Sequence, residues 1–335
     1  MGSKFKVLIT DPYHKNFNIE KEILAEINAE VRVGHCKTEE DVIKIGSNMD
    51  GLLVSYIPIG KKVIENLHKC KVIVKYSVGL DNIDLEAATQ KKIYVANVPR
   101  YCVEEVSTHT LALLLNLVRK ISKYDQSVKR RSWDPLVGDP IFRIENKVFG
   151  IIGFGNIGKR VAEKIRPFKL SIIVYDPFVN SKLISEYSAK KVELETLLRQ
   201  SDYISLHCPL NKYTKHLIDF KEIEIMKKGV FIINTSRGEI INQKALYKAI
   251  KDEKIAGTAL DVLEKDPPFL TDIMNTDKII YTPHVAWNSV EAEVELRKLA
   301  AQEVKRVLEG GKPLNLVNRE VLRDRDDKIK RTLLL

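Results

Sequence analysis

An α/β fold built on two parallel, helix-wrapped sheets is predicted for this chain, and three observations carry the prediction. Short β-branched runs alternate with amphipathic helical stretches from the first residues onward. That alternation breaks once, at a long apolar helix pattern, and then restarts. At the restart a strand pattern runs straight into a glycine-rich turn and another helix. Parallel strands need a crossover element between them, so the pattern implies two doubly wound βα domains.

The first run of strand candidates is FKVLI (5–9), EVRVG (30–34), GLLVS (51–55), KVIVK (71–75) and KIYVA (92–96), with charged amphipathic segments such as 20–29 and 61–69 between them. VEEVSTHTLALLLNLVRKI (103–121) then reads as one long helix, apolar at 106, 113, 114, 117, 118 and 121. A helix that apolar suits a buried connector. Two prolines and a glycine in 133–146 predict an irregular excursion. Strand patterns resume at VFGII (148–152), SIIVY (171–175), YISLH (203–207), VFIIN (230–234), GTALDV (257–262) and KIIYTP (278–283). A final helix follows Ser289 as N-cap, with Glu291 and Glu293 in its first turn and an apolar stripe at 290, 294, 301, 304 and 308. This helix and the tail are expected to return to the first domain, making it discontinuous.

The restart motif is the most specific stretch of the chain. In VFGIIGFGNIGKRVAEKIRPFKLSIIVYDPF (148–178), Gly153, Gly155 and Gly158 follow a strand and open a helix, and a second strand ends in Asp176. Gly153 permits a tight turn, Gly155 lets a pyrophosphate approach the backbone, and Gly158 allows close helix–strand packing. The helix N-terminus offers free N–H groups to the phosphates. Asp176 is placed to accept hydrogen bonds from a ribose diol, and its charge would repel a 2′-phosphate. NAD is therefore favoured over NADP.

Composition narrows the rest. With 44% hydrophobic and 30% charged residues the chain reads as a soluble globular protein, and no apolar stretch approaches a bilayer span. No leader pattern opens it. Four scattered cysteines (Cys36, Cys70, Cys102, Cys208) without C-x-x-C pairs predict reduced thiols, a cytoplasmic setting and no metal site. The net charge of +10 is spread along the chain without a dense basic block, so no nucleic-acid partner is expected.

SLHCPLN (205–211), INTSRGEIIN (233–242), GTALDVLEKDPP (257–268) and YTPHVAWNS (281–289) follow the glycine motif in order. KYSVGLDNIDLEAA (75–88) and VANVPRYCVEEVSTHTLALLLNLVRK (95–120) precede it. Together, over about residues 5 to 318, these resemble the D-isomer-specific 2-hydroxyacid dehydrogenases. The PHVAWNS ending is similar to the C-terminal binding protein branch. The resemblance implies a Rossmann NAD-binding domain at 101–287 and a smaller flavodoxin-like substrate domain from 1–100 and 288–335. It implies a catalytic cleft between the two and a homodimer.

Hydride transfer between NAD(H) and the second carbon of a 2-oxo or D-2-hydroxy acid is the reaction this resemblance implies. Arg237, at the carboxyl end of an apolar strand, would hold carboxylate and carbonyl oxygen with its planar fork. His284, taken by itself, reads as a packed histidine after a turn; in the family it is the acid/base. The family's acidic partner is a glutamate, and here that position is Asp266. The missing methylene withdraws the carboxylate by ~1.5 Å. Either the backbone shifts, or a water bridges, or Glu264 serves instead; Asp266 is favoured. The substrate carboxylate would also meet the N–H groups of Val78 and Gly79. Lys75 stands where relatives carry arginine, and Trp287 would wall the pocket. Further cofactor contacts carry over to Asn156, Ile157, Cys208, Pro209, Asn211, Thr235 and Asp261, with Cys208 acting through its backbone. His109, His207 and His216 read as structural. Phosphoglycerate dehydrogenase-type activity and an NAD(H)-sensing corepressor-like binding role are the alternatives.

Overall fold

A computed structural model describes residues 4–12, 14, 16–265 and 276–322. It divides into two compact units, Met1–Tyr101 with Ser289–Leu335, and Cys102–Asn288. Each is built on a parallel sheet wrapped by helices, the fold class expected from the alternation.

In the first unit β1 (Phe5–Ile9), α1 (Asn18–Ala25), β2 (Ala29–Val33), α2 (Glu39–Gly46), β3 (Gly51–Val54), α3 (Lys61–Glu65), β4 (Val72–Lys75), α4 (Leu85–Gln90) and β5 (Tyr94–Ala96) alternate. The strands pair in parallel in the order β2-β1-β3-β4-β5. β3 and β4 are buried along their whole length, as continuous apolar runs must be when helices cover both faces. Asp11 fixes the loop beyond β3: its carboxylate accepts from the amides of Ser55, Tyr56 and Ile57 at 3.0, 2.5 and 2.8 Å.

The second unit opens with α5 (Val103–Arg119) and α6 (Ile121–Lys129). The long helix expected over 103–121 is α5, and a second helix, α6, follows it after Lys120 turns left-handed at φ 52°. Asn116 seals the break, accepting from Ser122 N at 2.9 Å and donating to Ser122 Oγ at 2.7 Å. After an irregular segment come β6 (Val148–Ile152), α7 (Asn156–Ile165), β7 (Ser171–Tyr175), α8 (Ser181–Glu186), β8 (Ala189–Lys191) and α9 (Leu194–Gln200). Then follow β9 (Tyr203–Leu206), α10 (Phe220–Ile225), β10 (Val230–Asn234), α11 (Gln243–Lys251), β11 (Ile255–Leu260) and β12 (Ile279–Tyr281). These strands form one parallel sheet, β12-β11-β10-β9-β6-β7-β8. Its order reverses at β6, which lies between β7 and β9, and such a reversal opens a crevice at the carboxyl ends of the strands. Leu113, Leu114, Leu117 and Val118 of α5 share a core with Val161, Ala162 and Ile165 of α7.

α12 (Val290–Leu308) belongs to the first unit, packed on α1, β3 and β4. Ser289 Oγ caps it, accepting from Ala292 N at 2.9 Å. Its buried face differs from the expected stripe: Val290 and Val294 are exposed, while Leu296, Arg297 and Ala300 turn inward. Arg297 can be buried because Nε and one terminal nitrogen each donate to the Glu20 carboxylate at 2.8 Å. That nitrogen also donates to Asn16 O at 2.7 Å, and Tyr76 Oη donates to Glu20 at 3.0 Å. At the sheet's edge, Asn318 accepts from Val95 N and donates to Ile93 O, both at 2.9 Å. Leu316 forms an antiparallel bridge with Ala96 there, covering an otherwise open strand edge. Among the described residues, no helix is long and apolar enough to cross a membrane.

Candidate active site

The glycine turn between β6 and α7 is shaped by space as much as by torsion. Gly153 sits at φ +92°, and a Cβ there would lie 2.5 Å from Cys208 N. A Cβ on Gly158 would lie 2.3 Å from Gly153 O, whereas one on Gly155 would meet nothing within 4 Å. Two glycines are thus filled in by the fold, and the third leaves open room at the start of α7. Gly155 is the N-cap of α7 and provides no side-chain cap, so the first-turn N–H groups beside Asn156 and Ile157 are left for an anion.

Asp176 follows β7. Its Oδ2 accepts from Phe154 N at 2.7 Å, and its Oδ1 accepts from Phe178 N at 2.8 Å and Val179 N at 3.1 Å. The carboxylate therefore stays fixed next to the turn while retaining acceptor capacity, since an ionised carboxyl has about four lone-pair sites. These features fit a dinucleotide: an uncapped helix start, open space over Gly155, and an anchored acid after the next strand.

Cys208 and Pro209 follow β9, and Cys208 N lies against Gly153. Burial pushes the Cys208 thiol up to about 11, and the charge of Asp176 adds to the shift. Iodoacetamide at pH 7.5 is expected to leave Cys208 unmodified in the native protein and to label it in urea, as peptide mass spectrometry would read. Rapid native labelling would make it a reactive thiol. Desolvation holds the His207 ring down to about 3, so it is neutral and shares a 2.8 Å hydrogen bond with Ser205 Oγ. Asn211 Oδ1 accepts from Tyr213 N at 2.8 Å and shapes its own loop. Thr235 Oγ1 meets Thr110 Oγ1 of α5 at 3.1 Å.

Arg237 follows β10 and precedes a short 3₁₀ turn, Gly238–Ile240. Asn234, 1% exposed, braces it from within. Its Oδ1 accepts from Ser236 N at 3.0 Å, and its Nδ2 donates to Arg237 O at 2.9 Å. Arg237 itself donates from one terminal nitrogen to Ser236 O at 2.8 Å.

His284 lies beyond β12 in a left-handed conformation, φ +54°, an uncommon state for a residue other than glycine. Asp261, 2% exposed, imposes it. His284 N donates to Asp261 O at 2.8 Å. The Asp261 carboxylate accepts from Thr282 Oγ1 at 2.5 Å, Val285 N at 2.9 Å and Ala286 N at 3.0 Å. His109 of α5 adds a 3.1 Å bond from Nε2 to Thr282 Oγ1. The indole of Trp287 donates to His284 O at 3.0 Å. Asp261, expected as a cofactor contact, also serves as a clamp on the turn that carries His284.

Of the other expected residues, Asp266 lies outside the described residues. Glu264, the other candidate for the acidic partner, has its carboxylate on His216 Nε2 at 2.9 Å and Gln243 N at 3.1 Å. In the first unit, Lys75 ends β4 and is 6% exposed, with Nζ 5.6 Å from the centre of the Tyr56 ring. Val78 and Gly79 follow it, and Asn97 Nδ2 donates to Val78 O at 2.6 Å. The second unit thus gathers Gly153, Gly155, Cys208, Arg237, Asp261 and His284 at the carboxyl edge of one sheet. Sequence reasoning passed over the braces Asn234 and Thr282, whereas His109 and His216, read as structural, do hold turns. The signal for Asn234 was available, since a polar residue ended an otherwise apolar strand in VFIIN.

A family model described as D-isomer specific 2-hydroxyacid dehydrogenase, NAD binding domain, matches residues 111–286. D-3-phosphoglycerate dehydrogenase of Methanocaldococcus jannaschii is 36% identical over 98% of this chain, which spans 63% of that protein's length. Glyoxylate reductase of Thermococcus litoralis is 38% identical over 79% of this chain and 82% of its own. Among solved structures, a glyoxylate reductase from Paecilomyes thermophila is similar with a TM-score of 0.86 at 28% identity, covering 95% of this chain and 99% of its own.

Proposed function

This chain belongs to the D-isomer specific 2-hydroxyacid dehydrogenase family, and on that premise we propose that it interconverts a 2-oxo acid and a D-2-hydroxy acid with NAD(H). The observation that carries this reading is the sharing of one sheet edge by a dinucleotide-shaped turn, Arg237 and a histidine held in a left-handed turn. Bound NAD supplies or accepts the hydride. The α7 N-terminus neutralises the pyrophosphate, and Asp176 accepts from the ribose diol.

Arg237 pairs with the substrate carboxylate and draws electron density toward the carbonyl oxygen. In reduction, His284 gives a ring proton to the oxygen as it becomes an alkoxide; in oxidation the neutral ring takes it back. Asp266 is the proposed carboxylate partner of that ring. For the substrate, Lys75 offers an ammonium, Val78 and Gly79 offer N–H groups, and Trp287 offers an apolar wall. Contacts from Asn156, Ile157, Cys208, Pro209, Asn211, Thr235 and Asp261 to the cofactor belong to the same reading.

A homodimer is part of it. Trp133, Leu136 and Phe142 are 87%, 67% and 62% exposed, and Ile121 and Val128 nearby are also exposed. Large apolar side chains clustered along 121–142 suit an interface with a second copy. A cytoplasmic setting agrees with four cysteines that form no disulfide, and the PHVAWNS turn supports the C-terminal binding protein-like branch.

Purified protein given NADH and a panel of glyoxylate, pyruvate, hydroxypyruvate, phenylpyruvate and 3-phosphohydroxypyruvate is expected to consume NADH with at least one of them. NADPH should serve at least about tenfold less well, because a 2′-phosphate beside Asp176 costs roughly 1–4 kcal/mol. NADH binding without consumption of any acid would replace this reading with a sensing role. Preference for 3-phosphohydroxypyruvate would make the activity that of a phosphoglycerate dehydrogenase.

A further inference from the structure

We propose that His216 and Glu264 are positioning residues for Arg237, acting as a latch on the outer side of its turn. The inference rests on the reading that Arg237 holds the substrate carboxylate.

Asn234 fixes the turn from within, but its outer side is set by another segment. Gly238 lies so close to the chain after β11 that a Cβ there would fall 1.9 Å from Leu263 C and 2.5 Å from Glu264 N. Where Leu263 and Glu264 run therefore decides where the residue after Arg237 can sit. Glu264 holds that segment through its side chain, with Oε1 accepting from His216 Nε2 at 2.9 Å and from Gln243 N at 3.1 Å.

His216 grips both partners. While its ring binds Glu264, its amide donates to Glu239 O at 2.7 Å, within the turn that follows Arg237. Two residues on, Ile218 N donates to Ile240 O at 3.1 Å. To do both, His216 adopts φ +51°, a conformation that glycine takes freely and histidine does not.

The exposure of the pair separates positioning from stability. The two side chains are 37% and 31% exposed, and a side-chain contact that solvated adds little to folding. Its removal should leave the melting temperature nearly unchanged while loosening one wall of the Arg237 turn.

The variants are Glu264→Ala, Glu264→Gln, which keeps an acceptor for His216 and Gln243, and His216→Gly, which removes the ring but accepts the left-handed backbone. For the acid consumed by the native enzyme, kcat/KM is expected to fall about tenfold in Glu264→Ala and His216→Gly. The fall should appear mainly in KM, and Glu264→Gln should recover most of it. NADH affinity should stay within about twofold. Amide exchange at Ile240 and Ile241, which donate to Arg237 O at 3.3 Å and Gly238 O at 3.1 Å, should accelerate in the same two variants. Unchanged kcat/KM, unchanged exchange, or a loss shared equally by NADH binding would each overturn the proposal. Should the native protein consume no acid, the failure belongs to the catalytic reading. The exchange arm then decides the latch alone: acceleration in both variants supports it and none overturns it.

Discussion

His284→Asn should lower kcat by about 10²–10⁴-fold while NADH affinity stays within about twofold. The choice of asparagine follows from the backbone. His284 sits at φ +54°, and asparagine tolerates that region better than alanine does. The turn is held by main-chain bonds to Asp261 and by the Trp287 indole, none of which involves the imidazole. Removing the ring should therefore leave the local chain path intact, and lost turnover would report lost proton transfer. Steady-state rates with the accepted acid, paired with NADH fluorescence titration, would measure both quantities. Activity within tenfold of the native enzyme would move the proton donor elsewhere. A loss of NADH affinity as large as the loss of kcat would mean that the turn had collapsed.

The second large effect is one of stability. Arg297→Ala should destabilise the first unit by about 3–5 kcal/mol, since it strands a buried carboxylate. Glu20 is fully buried and Arg297 is 4% exposed. The guanidinium meets both carboxylate oxygens at 2.8 Å and closes on Asn16 O at 2.7 Å. Tyr76 completes the cluster; burial, and then the neighbouring Glu20 charge, pushes its hydroxyl well above the usual range, so it stays a donor. A melting transition lower by on the order of 10 °C is expected. Replacing Glu20 and Arg297 together by methionine should restore most of the loss, because no buried charge is then stranded and Glu293, the other carboxylate on Arg297, is partly exposed. A single-variant loss below about 1 kcal/mol would mean that water reaches Glu20. Because Tyr76 directly follows Lys75 and precedes the Ser77–Gly79 turn, the same variant tests whether that turn depends on the cluster.

These two predictions differ in how far the sequence foreshadowed them. The two parallel sheets were legible because alternation of apolar runs and amphipathic helices is a local signal. So was the glycine turn, whose spacing and flanking strands sit within one short segment. The second helix after Lys120 was not foreseen, because the turn there is marked by a left-handed lysine and by bonds between Asn116 and Ser122 rather than by glycine or proline. β8 was missed because AKK carries no β-branched residue and lies at the sheet's edge. The burial of Arg297 has no local signal, since its partner Glu20 is distant in the chain and no pattern links them. The latch residues failed in the same way. His216 looked structural and Glu264 looked like a rival partner for His284, and only their contact gives them a shared task.

α12 also bears on how the chain acquires its structure. Five strands of the first sheet are complete by Ala96, yet the helix that packs on β3 and β4 begins at Val290. During synthesis those strands emerge early and wait with one face uncovered until the whole second unit has been made. The second unit is one uninterrupted stretch, Cys102–Asn288, and can close without that delay. The first unit is therefore the slower to mature and the more prone to aggregate while nascent. Its vulnerability ends only when Arg297 arrives and neutralises a glutamate made near the beginning.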